Sequence, residues 1–316
     1  MEQDNHQDRT VPHARVPSGH ERPESVPPLV EVDLGGLSHR GRVRLNNEDH
    51  FLVARLDRVM QILVTNLPAD SVPDRHTETV YGMLVADGMG GQAAGEVASR
   101  TAISVLVELI LRTPDLIMRL DGGVTDQALR RLTQRFQQIK DVLAERVEED
   151  PSLKGMGTTM TLACSLGVDL LIAHVGDSRA YLFRQGQLKQ LTRDQTMAQN
   201  LADTGAIRPE EVDTHPMRHV LVGALDSQGG KTDVDVRGLR LADGDQVLLC
   251  TDGLTNMVPD GTIAELLQRP GPAADACDAL INLALDCGAR DNVTVALGRY
   301  QITERPGKAV TKAWAS

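Results

Sequence analysis

The chain has 316 residues, and its 33 Lys and Arg against 44 Asp and Glu give a formal net charge of −11 at pH 7. This acidic balance, with no run of Lys or Arg, argues against nucleic acid as a partner. The polar N-terminus lacks the apolar core of a signal peptide, and no apolar stretch approaches the ~18 residues of a membrane span, so we expect a cytoplasmic protein without a membrane partner.

Both ends of the chain are expected to be tails outside the folded part. Residues 1–28 are rich in Pro, His, Arg, Glu and Ser, a composition typical of disorder. Residues 304–316 have the same loose character. The sequence therefore predicts one folded domain over residues 29–303.

In the first half of this domain, short apolar runs predict strands and longer periodic runs predict helices. The predicted strands are Leu29–Val32, Phe51–Ala54 and Tyr81–Ala86, the last of which enters an Asp-Gly turn. Part of the stretch 57–79, between the second and third strands, is expected to be an exposed hairpin or loop. The predicted helices are 93–112 and a second that begins at Thr125 as N-cap and runs through Leu143.

The second half is richer in strands. Turn-separated apolar runs predict strands at Thr159–Ser165, Leu170–Val175, Ala180–Phe183, Leu188–Leu191, Gln246–Cys250 and Val293–Tyr300. Gln185-Gly186 is the predicted turn of a hairpin between the third and fourth of these strands. Helices are predicted over 262–268 and 273–286. Because strands cluster and helices fall in two groups, the pattern favours an α+β fold with antiparallel sheets and helices packed outside them.

The core is expected to be aliphatic, because hydrophobic residues make up 41% of the chain and aromatic residues only 2%. His174 lies inside a predicted strand and is expected to be a core residue rather than a catalyst. No C-x-x-C pair is present, and the cysteines lie in apolar stretches, so we expect buried free thiols in a reducing compartment rather than a zinc site. These cysteines are Cys164, Cys250, Cys277 and Cys287.

Four aspartates stand at the ends of predicted buried strands, where acidic residues are unexpected. They are Asp87, Asp177, Asp252 and Asp291. One Asp-Gly pair alone indicates only a turn, but four converging carboxylates would repel each other unless cations lay between them. Hard oxygen ligands of this kind suit Mn²⁺ or Mg²⁺, and such cations would let an acidic protein bind phosphate.

A further element lies upstream, where residues 41–49 read G-R-V-R-L-N-N-E-D. It places Arg44 near two acids, Glu48 and Asp49, just before a predicted strand. An arginine can bind a phosphate through two parallel hydrogen bonds, which a lysine cannot. Taken alone, this stretch favours a solvated charged turn.

Six motifs in chain order carry a family resemblance: G-x-x-R-x-x-N-E-D, D-G-M-G-G, G-x-G-T-T, G-D-S-R, D-G and D-N. Each motif alone is weak, but their order and wide spacing make a strong signal. Over roughly residues 33–301 the chain resembles the type 2C family of metal-dependent serine/threonine protein phosphatases, in its bacterial form. The resemblance implies a four-layer α/β/β/α sandwich, in which helices flank two central antiparallel sheets.

The resemblance also implies a cation ligand set. Asp87 would bridge two core Mn²⁺ or Mg²⁺ ions, and the carbonyl oxygen of Gly88 would complete the coordination of one of them. Asp252 and Asp291 would hold the second ion. Asp177 would belong to a third, weaker cation site.

Supporting roles follow from the same resemblance. Glu48 and Asp49 would bind a cation directly or orient the waters bound to it. Arg44 would bind the substrate phosphate. The G-T-T motif, residues 157–159, would support the strand behind the site.

The implied reaction is hydrolysis of phosphoserine and phosphothreonine by direct attack of a hydroxide that bridges two cations ~3.5–4 Å apart. The cations and Arg44 would offset charge on the phosphoryl oxygens. The sequence contains no C-x₅-R phosphatase loop, which argues against a cysteine nucleophile. We expect a monomer that acts on phosphorylated proteins in opposition to a serine/threonine kinase.

Three positions depart from the wider family pattern. Met89 stands where eukaryotic members often carry a histidine proposed to protonate the leaving group, so metal-bound water would have to serve. Gln195 follows Asp194 where Asp-His is usual, and Gly223 stands where many members have Arg or Thr. Residues 196–222 are expected to form a helical flap beside the site, which would select substrates or simply cover the surface.

Two alternative functions are open at this level. A strand followed by Gly-Met-Gly-Gly over residues 88–91 and a helix is superficially like a dinucleotide-binding turn. Against this, Asp87 would face a pyrophosphate, and no acid ends a second strand ~20 residues later. The other alternative is a catalytically silent, phosphatase-like binding or regulatory module. The presence of all the expected acidic ligands favours an active enzyme.

Overall fold

The structure is a computed structural model that describes residues 28–68, 71–90, 94–112, 126–227 and 232–304, without the side chains of 126–129. Nearly all of both predicted tails, and Thr125, lie outside the described residues. The strands are β1 (Leu29–His39), β2 (Asp49–Gln61), β3 (Arg75–Met89), β4 (Gly157–Thr158), β5 (Met160–Leu166), β6 (Asp169–Val175), β7 (Arg179–Arg184), β8 (Gln187–Gln190), β9 (Leu225–Asp226), β10 (Asp235–Arg240), β11 (Gln246–Cys250) and β12 (Val293–Thr303). The α-helices are α1 (Ala94–Arg112), α2 (Asp126–Glu149), α3 (Met197–Asp203), α4 (Asp252–Thr255), α5 (Asp260–Leu267) and α6 (Ala273–Asp286).

Two antiparallel sheets form the centre of the fold. The first sheet has the strand order β1-β12-β11-β7-β8. In the second the order is β10-β6-β5-β3-β4-β9, and β2 also pairs with β3. Since β3 pairs antiparallel with each of β2, β4 and β5, the parallel sheet of a dinucleotide-binding fold is not formed around it.

Alternating side chains on the strands supply the faces that hold the layers together. On β3, Met83 and Val85 face the other sheet, whereas Leu84 and Ala86 face helices α1 and α2. The middle core therefore lies between the sheets, and a second core lies under α1 and α2. A third core packs α5 and α6 on the outer face of the first sheet. This arrangement is the α/β/β/α sandwich of the α+β class that the sequence predicts.

Most of the predicted helices and strands are present, and most strands are longer than the apolar runs that predicted them. Gln185 and Gly186, with φ of 51° and 80°, form the tight turn predicted between β7 and β8. His174 is a buried core residue as expected, with Nδ1 2.8 Å from the hydroxyl of Thr161. Strands β2 and β3 cover much of the stretch 57–79, and the described residues between them, 62–68 and 71–74, form the predicted loop. No helix in the described ranges is both long enough and apolar enough to span a membrane.

Two sequence expectations are wrong. Strand β3 does not end in an Asp-Gly turn, because Gly88 and Met89 continue it by pairing with β4. The thiol of Cys287 is exposed and Cys164 is half-buried, so the expectation of four buried cysteines fails. Cys287 caps the C-terminal end of α6, where the last turn meets solvent. The sequence also gave no sign of β10, whose residues are largely polar because it is an edge strand.

Candidate metal centre

A cavity of about 940 Å³ opens where several strands end. Its wall combines the loop before β2, the end of β3, the turn after β6, the start of α4 and the loop before β12. The predicted site residues that line it are Arg44, Glu48, Asp87, Gly88, Asp177, Asp252 and Asp291. Only Asp49 among the predicted residues does not line the cavity, because it is buried just behind the wall.

The backbone of Asp87 is held from both sides by the G-T-T motif. Its N–H donates to Oγ1 of Thr159 at 3.0 Å, and its carbonyl oxygen accepts from the N–H of Thr159 at 2.9 Å. The hydroxyl of Thr158 donates to the same carbonyl at 2.9 Å. The next residue, Gly88, donates its N–H to the carbonyl of Glu48 at 3.2 Å. The two threonines therefore fix the strand that presents Asp87 to the cavity.

Asp49 faces Asp87 across the β2–β3 pair and is 3% exposed. Its Oδ2 accepts hydrogen bonds from the hydroxyls of Thr251 at 2.8 Å and Thr294 at 2.7 Å. Its Oδ1 is buried and has no hydrogen-bond partner. Burial raises the pKa of Asp49 to about 7, although the two hydroxyl donors lower it. A buried carboxylate oxygen without a partner is costly, and a cation nearby would relieve that cost.

The carboxylates around the cavity repel each other. Burial first, and then the charges of four neighbouring aspartates, raise the pKa of Asp87 well above its ordinary value. Burial, together with the charges of Asp252 and Asp194, raises the pKa of Asp177 to about 8. Burial and mutual repulsion both favour the neutral acid, and a divalent cation reverses both effects.

Two of the cavity aspartates contact basic side chains. Arg44 donates to Oδ2 of Asp291 at 2.6 Å, and both side chains are partly exposed. Nδ1 of His219 lies 3.7 Å from Oδ2 of Asp252, which also accepts from the side-chain amide of Asn256 at 3.0 Å. Within the described part of the chain, no three His, Cys, Asp or Glu side chains are arranged as a ready ion cage. The carboxylates line the same cavity, but they do not surround one common position.

The donor set nevertheless fits Mn²⁺ or Mg²⁺. The ligands that the sequence predicts at the cavity are all oxygens, from carboxylates or from the Gly88 carbonyl, and these cations prefer oxygen. The unpartnered Oδ1 of Asp49 and the raised pKa values of Asp87 and Asp177 both indicate missing positive charge. Zinc sites in proteins usually include His or Cys among their ligands.

Asn292 belongs to the D-N motif, but its role in the site could not be predicted from the sequence. Its side-chain N–H groups donate to the carbonyls of Arg40 at 3.0 Å and Asn46 at 2.8 Å. Its Oδ1 accepts from the N–H of Glu48 at 2.7 Å. One amide therefore ties the loop that carries Arg44 and Glu48 to the start of β12. The D-N motif was the available signal, but its partners are distant in sequence.

The predicted flap borders the same cavity. It contains α3 and a 3-10 turn at Pro209–Thr214, and its base is closed where Thr196 pairs with Leu221. Its side chains that line the cavity are Arg218, His219 and Leu221. The sequence predicted the flap but not these residues, because nothing local marks which part of an irregular segment faces inward.

We expect the crowded carboxylates to make the stability of the metal-free protein fall as pH rises. Asp49 and Asp177 have folded pKa values of about 7 and about 8, against ~3.9 for an unfolded aspartate. Stability from a group whose pKa is raised by folding is fully present below the unfolded pKa and is lost as pH rises through the folded one. The EDTA-treated protein should therefore melt at a lower temperature at about pH 8.5 than at about pH 5.5.

Calorimetry at both pH values, with and without Mn²⁺, checks this expectation. Saturating Mn²⁺ should remove most of the difference, because the cation neutralises the ionised carboxylates. The Asp177→Asn variant should show a smaller difference without metal. Equal or higher melting temperatures at the alkaline pH would contradict the crowding argument.

Comparison with known proteins identifies the family. The sequence model of protein phosphatase 2C matches residues 69–292. The serine/threonine protein phosphatase PstP of Mycobacterium tuberculosis is 40% identical over 261 residues, which cover 82% of this chain and 43% of PstP. The chain thus spans less than half the length of that relative. The serine/threonine phosphatase stp of Listeria monocytogenes is 35% identical over 223 residues, 71% of this chain and 86% of stp.

A solved structure supports the same assignment. The catalytic domain of PstP, in complex with two manganese ions, matches with a TM-score of 0.66 at 34% identity. The match covers 86% of this chain and 100% of that domain. The family match, the shared fold and the oxygen-lined cavity agree. The chain belongs to the protein phosphatase 2C family of metal-dependent serine/threonine phosphatases, in its bacterial form.

Proposed function

We propose that this chain is an active metal-dependent phosphatase that hydrolyses phosphoserine and phosphothreonine in proteins. The observation that carries the proposal is the cavity lined by Asp87, Asp252 and Asp291, behind which the buried Asp49 has a carboxylate oxygen without a hydrogen-bond partner. Several acidic side chains around one cavity repel each other, so their presence together indicates a ligand of opposite charge. A silent binding module would not need every acidic ligand.

The proposed ligands to the two core cations are Asp87, the Gly88 carbonyl, Asp252 and Asp291. When bound, two Mn²⁺ or Mg²⁺ ions supply a nucleophilic water near neutral pH and offset charge at the phosphoryl group. The protein places these oxygens on strand ends and strand-end turns, where backbone hydrogen bonds leave little freedom. Asp49 contributes by holding the hydroxyl of Thr251, next to Asp252.

Two further acids complete the proposed site. Glu48 lines the cavity, and burial raises the pKa of its carboxyl group. It is placed to bind a cation or to orient its waters. Asp177 also lines the cavity, on the turn after β6, and is the proposed ligand of a third, weaker cation.

Arg44 is the proposed phosphate ligand. Its guanidinium lines the cavity, and its side chain is 52% exposed. The ion pair with Asp291 is solvent-exposed, and exposed pairs contribute little free energy. A phosphate dianion can therefore compete for the guanidinium, which offers two parallel N–H donors.

Arg44→Ala is expected to raise KM for a phosphothreonine peptide about tenfold or more, since a hydrogen bond to a charged group contributes about 1.5–3 kcal/mol. Arg44→Lys should recover only part of this loss, because a lysine cannot bind two phosphate oxygens in parallel. Steady-state kinetics with Mn²⁺ measures the effect. The matched control is Arg42→Ala, because Arg42 donates to the carbonyl of Leu285 and does not line the cavity. An unchanged KM in Arg44→Ala would remove Arg44 from the phosphate site.

The direct test of the proposed function is hydrolysis of a phosphothreonine peptide by the full chain. We expect turnover with Mn²⁺, none with EDTA, and loss of most activity in Asp252→Ala with Mn²⁺. A wild-type chain that is silent on several phosphopeptides with both Mn²⁺ and Mg²⁺ would overturn the proposal. The chain would then be a phosphatase-like binding module.

The proposal also covers the bounds of the domain, its partners and its oligomeric state. We propose that residues 29–303 form the phosphatase domain, which the pairing of β1 with β12 from Leu29 to His39 supports. Its partners are phosphorylated proteins, and it acts as a cytoplasmic monomer in opposition to a serine/threonine kinase. Size-exclusion chromatography with light scattering checks the monomer.

A further inference from the structure

Gln195 stands between the flap and the turn that carries Asp177. We propose that Gln195 is a positioning residue that clamps the base of the flap to this turn, and that Gly223 is required to leave space for its side chain. The inference rests on the proposed function, because the flap and the turn matter to catalysis only if the cavity is the reaction site.

On the turn side, Gln195 makes two hydrogen bonds to one residue. Its backbone N–H donates to the carbonyl of Gly176 at 2.7 Å, and its Oε1 accepts from the N–H of Gly176 at 3.0 Å. Gly176 directly precedes Asp177 and has a φ of 111°, which a residue with a Cβ rarely adopts. A Cβ there would also lie 2.5 Å from the side chain of Thr159, which holds Asp87. The backbone at Gly176 is therefore restricted to this conformation. Gln195 forms hydrogen bonds with both the N–H and the carbonyl oxygen of Gly176.

On the flap side, the backbone of Gln195 accepts from the N–H of Val222 at 2.9 Å. The side-chain amide donates to the carbonyl of Asp233 at 3.0 Å, just before β10. Immediately after Gln195, Thr196 pairs with Leu221 and the N–H of Met197 donates to the flap carbonyl at 220 at 2.8 Å. One residue thus joins the start of the flap, its end and the Asp177 turn.

Gly223, just after the flap, is packed closely against the side chain of Gln195. A Cβ added at Gly223 would overlap Oε1 of Gln195 and would lie 2.7 Å from its Cδ. Any larger residue at this position must displace the amide that holds Gly176. The two positions both depart from the usual family pattern, and in this chain they are in direct contact. We therefore treat them as one structural pair.

Loss of the contacts of Gln195 should change the wall of the cavity. The flap contributes Arg218, His219 and Leu221 to the wall, and Asp177 lies on the side of the turn. If the clamp loosens, these side chains lose their fixed distance from Asp177. A phosphopeptide extends beyond its phosphate, so it should contact more of the flap than a small aryl phosphate does. Loss of the clamp should therefore weaken peptide binding more than aryl phosphate turnover.

The first experiment compares Gln195→Ala and Gln195→Met in the full chain with Mn²⁺. We expect both to raise KM for a phosphothreonine peptide about threefold to tenfold, the effect of losing one or two neutral hydrogen bonds. KM for p-nitrophenyl phosphate should change by less than about twofold. The methionine variant keeps the side-chain volume, so a normal peptide KM in Gln195→Met would show that Gln195 only fills space and would overturn the proposal.

The matched control is Gln199→Ala. Gln199 is a glutamine four positions along the chain, on α3, and its side-chain amide donates to Asp203 at 3.2 Å rather than to the turn. Its replacement should leave both KM values unchanged. An equal effect of Gln199→Ala and Gln195→Ala on the peptide KM would indicate general loosening of the flap and would contradict a specific clamp.

The second experiment tests the pairing with Gly223. Gly223→Ala should raise the peptide KM as much as Gln195→Ala does, because its Cβ displaces the amide. In the Gln195→Ala background, Gly223→Ala should add less than about twofold, since the overlapping atoms are gone and only the Cβ of residue 195 remains near. Additive effects of the two substitutions would overturn the proposed pair.

The third measurement separates failure of the clamp from failure of the proposed function. Amide hydrogen exchange at Gly176 and Val222 reports the clamp without any assay of activity. Both amides should exchange faster in Gln195→Ala than in wild type, and Gln199→Ala should not change them. Unchanged exchange in Gln195→Ala would overturn the clamp even if the enzyme is active. Faster exchange in a chain without phosphatase activity would keep the clamp and reject the function.

Discussion

Asp87→Asn is expected to abolish phosphatase activity and, at the same time, to raise the melting temperature of the metal-free protein. The activity should fall by at least about 100-fold, since even indirect partners of a metal ligand cost 10–100-fold when replaced. An asparagine keeps the shape of the side chain but removes the charge that would bind both cations. The backbone should stay in place, because Thr158 and Thr159 hold it through main-chain groups.

The gain in stability follows from the same carboxylate cluster. Burial and four neighbouring aspartates make the ionised form of Asp87 unfavourable in the absence of metal. Removing that charge relieves the repulsion, so the melting temperature with EDTA should rise by a few degrees at neutral pH. With Mn²⁺ the order should reverse, because the wild type gains free energy from binding the cation. Differential scanning calorimetry with EDTA and with Mn²⁺ measures both effects.

Asp57→Asn is the matched control for this prediction. Asp57 lies on the exposed part of β2, where the hydroxyl of Thr79 and the guanidinium of Arg55 lower the pKa of its carboxyl group. Its replacement should leave activity unchanged. It should lower the melting temperature slightly, whereas Asp87→Asn should raise it in EDTA. An Asp87→Asn protein that is less stable than wild type in EDTA would show that the cluster is not under electrostatic strain.

Gly88→Ala is expected to destabilise the protein by about 2–3 kcal/mol and to remove most of its activity, because it overpacks a backbone contact. An added Cβ would overlap the carbonyl oxygen of Gly95 in the first turn of α1 and would lie 2.7 Å from the carbonyl oxygen of Glu48. Both obstacles are main-chain atoms, so no side-chain rotation can relieve the overlap. Helix α1 must move away from β3, and the loop that carries Glu48 must move with it.

The measurement is a thermal melt together with phosphopeptide turnover. A loss of 2–3 kcal/mol should lower the melting temperature by roughly 5–10 °C in a domain of this size. Gly82→Ala is the control on the same strand, since nothing lies within 4 Å of a Cβ added there. It should be neutral or slightly stabilising in both assays. Equal melting temperatures for the two alanine variants would mean that β3 and α1 are not in close contact.

The order of the motifs allowed the sequence to predict the family, the fold class and the carboxylates at the cavity. Each acidic ligand candidate stands beside an apolar run or a few residues from one, and this signal is local. The periodicity of the apolar residues likewise predicted α6 and the hairpin between β7 and β8. Local chemistry was sufficient in these cases because a strand, a turn or a helix cap is decided by neighbouring residues.

Other features depend on pairing between distant parts of the chain. The extension of β3 beyond Asp87 depends on β4, and the role of Asn292 depends on carbonyls of residues 40 and 46. The exposure of Cys287 depends on where α6 ends relative to its neighbours. None of these partners can be read from the residues adjacent to them.

The sequence by itself determined which residue types carry the chemistry, because four aspartates at the ends of apolar runs are unusual together, although each one alone indicates only a turn. Only the tertiary structure decided how they act together. It placed Asp49 behind the wall rather than in it, paired Arg44 with Asp291, and brought Gln195 against Gly223. The physical reason is that charge repulsion, orphaned oxygens and steric overlap are properties of distances across the fold, which no local pattern fixes.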